Sequence, residues 1–130
     1  MDADTLNSFL DFSGRTAIVT GGTRGIGRSI AEGFAAAGAN VVVASRKADA
    51  CEETQAHLES MGAEALGLAV NIGDTDAAER IVDATVARFG AVDIVINNAA
   101  NALAASPARS GVAASTTTNM FSYKIGNASR

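Results

Sequence analysis

Cysteine occurs once in this chain, at position 51, and histidine once, at position 57. A single cysteine cannot close a disulfide within the chain, so a reducing compartment, the cytoplasm, is the expectation. One cysteine and one histidine also leave no ligand set that reads as a zinc site, and no metal is expected. Cys51 falls in a helical pattern and reads as a small buried residue rather than a nucleophile. His57 reads as a helix-surface or packing residue, because no catalytic partner is indicated. Proline is also single (Pro107), tyrosine is single (Tyr123), and tryptophan is absent. No apolar run approaches the roughly 20 residues of a membrane span, so no membrane partner is expected. The start, Met1-Asp2-Ala3-Asp4-Thr5, is acidic and lacks the basic-then-apolar order of a secretory signal.

Acidic residues are missing from the whole stretch after Asp93. Residues 1–103 hold 14 acids against seven bases, whereas Arg109, Lys124 and Arg130 stand alone in the last 27 residues. An acidic main body argues against nucleic acid as a partner, and three scattered cations do not make a basic arm.

What the chain does have is a repeated unit. With 130 residues, 48% of them hydrophobic, it can bury one ordinary core. Three times a helical stretch closes on Gly-Ala and runs into a strand: Gly38-Ala39 before Asn40–Ser45, Gly62-Ala63 before Glu64–Val70, and Gly90-Ala91 before Val92–Asn97. A glycine just past a helix supplies the left-handed residue that caps the open carbonyls. Ile26, Ile30, Phe34 and Ala37 are expected to share the buried face of the first helix. Cys51, Gln55, Leu58 and Met61 are expected to do so in the second, and Ala78, Ile81, Val82, Val86 and Phe89 in the third, with Asp74 as its N-cap. The strands Ala17–Thr20, Val41–Ala44 and Val92–Ile96 are nearly continuous apolar runs, as in parallel sheets covered on both faces. Right-handed crossovers then give an α/β, doubly wound parallel sheet of Rossmann type, with strand order 3-2-1-4.

The expected organisation is a loose leader over 1–13, with Phe9, Leu10 and Phe12 packing on the body. A Rossmann-type half-domain follows over 14–103, and an irregular tail over 104–130, where "AASPARSGVAASTTTN" is small, polar and aperiodic. The sheet is expected to stop after about four strands. That leaves Val92–Asn97 as an unpaired apolar edge open to self-association.

"TGGTRGIG", Thr20 to Gly27, closes the first strand and opens the first helix. Backbone N–H groups at a helix start, together with the helix dipole, favour an anion there. Gly21 allows the tight turn, Gly25 close approach to a phosphate, and Gly27 close helix packing, which is the logic of a pyrophosphate cradle. A nucleoside-triphosphate loop is the rival, since Gly22 to Ser29 nearly fits G-x-x-x-x-G-K-[ST]. Its lysine is Arg28 here, however, and Val92–Asn97 ends without the aspartate that helps hold magnesium. Roughly 20 residues past the glycines, where a carboxylate would read a free ribose hydroxyl, the chain has Ser45-Arg46-Lys47. A guanidinium can grip a 2′-phosphate in two places and a hydroxyl can donate to it, so NADP is expected over NAD. Arg24 adds a second positive charge.

These residues resemble the short-chain dehydrogenases/reductases. "TGGTRGIG" is similar to their T-G-x-x-x-G-x-G motif, and Asn97-Asn98-Ala99-Ala100, at the end of "VDIVINNAA", to their N-N-A-G motif. The likeness runs from about Phe12 to Ala100. It implies that Gly21, Thr23, Arg24, Gly25, Ile26 and Gly27 line the pyrophosphate side, and that Ser45 and Arg46 hold the 2′-phosphate. It also implies that Asn71 and Ile72 flank the adenine, and that Asn98, Ala99 and Ala100 lie along the cofactor. Asn71 stands where the family usually has Asp, and Ala100 where it has Gly. The family's activity is hydride transfer between a carbonyl and an alcohol, with a Ser, a Tyr and a Lys in the signature Y-x-x-x-K. Here four residues beyond Tyr123 stands Asn127, and Lys124 is the tyrosine's immediate neighbour. No catalytic residue is therefore assigned. The expectation is the cofactor-binding part of such a reductase, cut short or shifted in frame near Leu103. The alternative is a non-catalytic protein that holds NADP(H) or a partner surface.

Overall fold

The computed structural model describes residues 1–99. They form α1 (Ala3–Phe9), β1 (Thr16–Thr20), α2 (Gly25–Ala36), β2 (Asn40–Ser45), α3 (Ala48–Ser60), β3 (Ala65–Ala69), α4 (Ala77–Phe89) and β4 (Ile94–Asn97). All pairings are parallel and the sheet order is β3-β2-β1-β4, the doubly wound order expected.

The apolar runs are continuous because each strand serves two cores. Val19, Val41 and Val43 face one side with Ala31 and Ala35 of α2, Leu58 of α3 and Ala65. Their chain neighbours Ile18, Val42 and Ala44 face the other side, with Ala77, Ala78, Ile81 and Val82 of α4. Successive side chains of a strand alternate between faces, so apolar residues at every position require cover on both. The glycines after α2, α3 and α4 cap as expected, at φ of +94° for Gly38, +93° for Gly62 and +88° for Gly90.

Four expectations are corrected. Ile26 is 76% exposed, and the buried residues of α2 are Gly27, Ala31 and Ala35, with Ile30 and Phe34 only flanking the core. The close approach of α2 to the sheet selects the smallest residues for the contact line. In α3 the buried residues are Cys51, Thr54 and Leu58, and Met61 is exposed. Asp74 does not cap α4. The N-cap is Asp76, without a side-chain cap bond, and the Asp74 carboxylate instead pairs with Arg80 at 3.3 Å. The leader contains α1, whose N-terminus Asp2 caps by accepting from the Thr5 N–H at 2.8 Å. None of α1 is buried, and Phe9 and Leu10 are exposed. Phe12 alone behaves as expected, stacking edge-on against Phe34 with ring centroids 5.4 Å apart.

Candidate dinucleotide site

The site grows from the carboxyl end of β1. On one side of β1 lies β2 and on the other β4, so the chain reverses its direction of growth between β1 and β4. In open α/β sheets that reversal opens a crevice for ligands above the strand ends.

Thr20, the last residue of β1 and 1% exposed, ties the crevice together. Its Oγ1 accepts from the backbone N–H of Asn98 at 3.0 Å and of Ala99 at 3.1 Å, and donates to Asn97 Oδ1 at 3.1 Å. A hydroxyl has one proton and two lone pairs, and all three are used. The next residue, Gly21, sits at φ +66° and its N–H donates to the Ala44 carbonyl of β2 at 2.8 Å. Its own carbonyl accepts from Asn98 Nδ2 at 3.4 Å. The glycine turn is thereby held between the ends of β2 and β4. The Thr20 clasp was not legible as a site feature. The threonine begins the motif, but its partners lie 77 to 79 residues away.

Gly25 opens α2 at φ +58°, and a Cβ built there would meet nothing within 4 Å. Glycine is needed for the backbone conformation, and the face it leaves bare is open space. Gly27 answers a different need. A Cβ on it would overlap the Gly21 carbonyl oxygen and lie 2.5 Å from Asn98 Nδ2. The N-cap of α2 is Arg24, in extended conformation and with no side-chain cap bond. The first N–H groups of the helix are left for an outside acceptor, where the dipole favours negative charge. These features fit a dinucleotide pyrophosphate: bare backbone, uncapped helix start and an adjacent cation.

The other expected residues fall around the same end of the sheet. Thr23 is half-buried in the turn, and exposed Ile26 lies in the first turn of α2. Ser45 ends β2, and Arg46 and Lys47 are exposed in the hinge to α3, whose N-cap is Lys47, again without a side-chain bond. Among the described residues Arg24, Arg46 and Lys47 have no carboxylate partner. Arg28 reaches Glu32 and Glu53, Arg80 reaches Asp74 and Asp76, and Arg88 reaches Glu64. Asn71, after β3, closes a local turn by accepting from the Gly73 N–H at 3.0 Å, and Ile72 packs on the α4 core. Asn98 and Ala99 follow β4 and are held by Thr20, as described. Ala100 lies outside the described residues, as do Tyr123 and Lys124. His57 lies on the surface between α3 and α2, with Nε2 3.5 Å from Glu32. Among the described residues no three His, Cys, Asp or Glu side chains gather as metal ligands, and no helix is long and apolar enough to cross a membrane.

A sequence profile of the short chain dehydrogenase family matches residues 15–125. The chain belongs to that family. Fluoren-9-ol dehydrogenase of Terrabacter sp. (strain DBF63) is 46% identical over 91 residues, which cover 68% of this chain and 25% of that protein. A short-chain type dehydrogenase/reductase from Mycobacterium marinum superposes with a TM-score of 0.78 at 27% identity, covering 93% of this chain and 52% of that one. The Pseudomonas aeruginosa RhlG/NADP active-site complex superposes with a TM-score of 0.77 at 28% identity, covering 90% of this chain and 47% of that one. The chain spans between a quarter and about two fifths of the length of the curated relatives it matches. The family is one of oxidoreductases that bind a nicotinamide dinucleotide and a small substrate.

Proposed function

We propose that this chain binds NADP(H) in the crevice above β1, β2 and β4, as the cofactor-holding part of a carbonyl/alcohol oxidoreductase. The observation that carries the preference for the phosphorylated cofactor is the set of unpaired cations at this end of the sheet. Arg24 and Lys47 stand at helix N-termini, where positive charge opposes the dipole, and Arg46 adjoins them. Unlike Arg28, Arg80 and Arg88, none of the three has a carboxylate partner among the described residues. An anionic ligand turns that unfavourable arrangement into a favourable one. The 2′-phosphate is the anion that distinguishes NADP from NAD, and Arg46 follows the strand whose end would meet the ribose.

In this reading the turn that runs from Gly21 through Thr23 and Arg24 to Gly27, with its open face at Gly25, takes the pyrophosphate. Ser45 and Arg46 take the 2′-phosphate, Asn71 and Ile72 border the adenine, and Asn98, Ala99 and Ala100 run along the cofactor. Exposed Ile26 offers apolar surface to the same ligand. The bound dinucleotide supplies hydride chemistry, while the protein supplies position and electrostatics.

A second reading is favoured by one observation. The only tyrosine, Tyr123, has Asn127 four residues on, so no Tyr–Lys pair at helical spacing is available for proton transfer. The chain would then hold NADP(H) without turning it over. Among the described residues β4 pairs only with β1, and we propose that its other edge supports self-association. The compartment we propose is the cytoplasm, on the strength of the lone, unpaired Cys51. Titrating NADPH and NADH separately into the purified chain tests the reading. Saturable binding with NADPH tighter supports it, and equal or absent binding removes it.

A further inference from the structure

The hinge that carries Arg46 is held from behind. The Cys51 amide donates to the Lys47 carbonyl at 3.1 Å. Its thiol lies 3.7 Å from the Ser45 carbonyl oxygen and 3.3 Å from that of Leu68. The carbonyl before Arg46 and the carbonyl after it are therefore both engaged by Cys51. The Ser45 carbonyl also accepts from the Val70 N–H at 2.8 Å, which ties the hinge to the end of β3.

Cys51 reaches this position because residue 67 of β3 has no side chain. A Cβ on Gly67 would overlap the Cys51 carbonyl oxygen and come within 2.8 Å of its carbonyl carbon. Gln55, one turn further along α3, fastens the same contact, its Oε1 accepting from the Gly67 N–H at 2.9 Å. The first turn of α3 is thus pressed into a gap in the edge strand and bonded on both sides of it. Burial, at 1% exposure, raises the thiol's pKa and keeps it a proton donor at neutral pH.

We propose that Cys51 and Gly67 form a seat that fixes the Ser45-Arg46-Lys47 hinge, and that they are positioning residues for choosing a 2′-phosphorylated dinucleotide over a plain one. The inference rests on the cofactor reading above. Among the described residues the exposed Arg46 side chain has no partner that would hold it, so its backbone sets where the guanidinium is presented. Two-point contact of a guanidinium with a phosphate is geometrically demanding, and a small shift of the hinge degrades it. The pyrophosphate contacts that both cofactors would share centre on the glycine turn after β1, fastened by Thr20, and are not carried by this seat.

The test is calorimetric titration of the full chain with NADPH and NADH, in four forms: unmodified, Cys51→Ala, Cys51→Ser and Gly67→Ala. Cys51→Ala is expected to weaken NADPH binding about two- to fivefold while NADH affinity changes little, the size of one modest hydrogen bond. Cys51→Ser, whose hydroxyl can donate to the same carbonyls, should keep the ratio of the unmodified chain. Gly67→Ala should lower the ratio like Cys51→Ala, because it displaces the seat without touching the thiol. If Cys51→Ala and Gly67→Ala both keep the ratio, or weaken the two cofactors equally, the seat is wrong and the cofactor reading stands. If the unmodified chain itself shows no preference for NADPH, the cofactor reading fails and the seat with it.

Discussion

The hydroxyl of Thr20 accepts the backbone N–H of Asn98 at 3.0 Å, across 78 residues of chain. With the bond to Ala99 and the donation to Asn97, it makes one side chain the fastening between the glycine turn and the end of β4. Thr20→Val keeps the shape and removes every one of these bonds. Two half-buried N–H groups then lose their acceptor, which costs up to about 1–3 kcal/mol for each group that water does not reach. Thr20→Ser should recover most of the loss. Urea unfolding of the three proteins checks the order, and equal stability of Val and Thr variants would refute the role of the clasp.

Two glycines of α2 should respond in opposite directions. Gly27→Ala places a methyl on the Gly21 carbonyl and should destabilise the fold while disrupting the turn. Gly33, in the same helix, has nothing within 4 Å of an added Cβ. Gly33→Ala should stabilise by about 0.5–1 kcal/mol, the difference in helix propensity. Thermal melts of both variants decide the matter; tolerance of alanine at 27 would contradict the packing described.

The clear parts of the fold were those written in local pattern. Ile18 beside Val19, and Val42 between Val41 and Val43, announce strands with two covered faces, and Gly38, Gly62 and Gly90 mark helix ends. The strand order follows from handedness. What escaped was set by distance in space. Ile26 looked like core because helical spacing cannot tell which side of a helix meets the sheet. Asp74 looked like a cap because the extra turn up to Asp76 has no signal of its own. The backbone roles of Gly21, Gly25 and Gly27, a tight turn, a bare face and close packing, were legible from their place between strand and helix. The Thr20 clasp and the Cys51–Gly67 seat were not, since both depend on contacts between separate strands and helices.

Cys51 should be chemically quiet. Burial, the largest cause, raises its pKa above the unfolded value, so the neutral thiol is favoured in the native state. A thiol reagent should label it only as fast as the chain opens. The sign for stability follows: this contribution is complete below the unfolded thiol pKa and is lost as pH rises from there through the folded value. Cys51→Ser should flatten that alkaline loss. Rapid labelling of the native protein near pH 7 would contradict the burial.

The chain of 130 residues should show no saturable oxidation of alcohols or reduction of ketones with NADP or NADPH. The proton-transfer step requires a tyrosine and a lysine at Y-x-x-x-K spacing, and Tyr123 has no such lysine. A spectrophotometric panel checks this. Turnover abolished by Tyr123→Phe would show that Tyr123 is an acid after all.

The central claim is that Arg46 reads a 2′-phosphate, and its most direct test needs no turnover. A hydrogen bond to a charged group contributes roughly 1.5–3 kcal/mol, so NADPH should bind about 10- to 100-fold more tightly than NADH. Arg46→Asp removes the attraction, adds repulsion toward the phosphate and supplies an acceptor for free ribose hydroxyls. Titration calorimetry of both proteins with both cofactors should show the order of affinity reversed in the variant. Added salt should weaken NADPH binding more than NADH binding in the unmodified chain, since the contact is ionic and exposed. Equal affinity for the two cofactors in the unmodified chain, or an unchanged ratio in Arg46→Asp, would contradict the account.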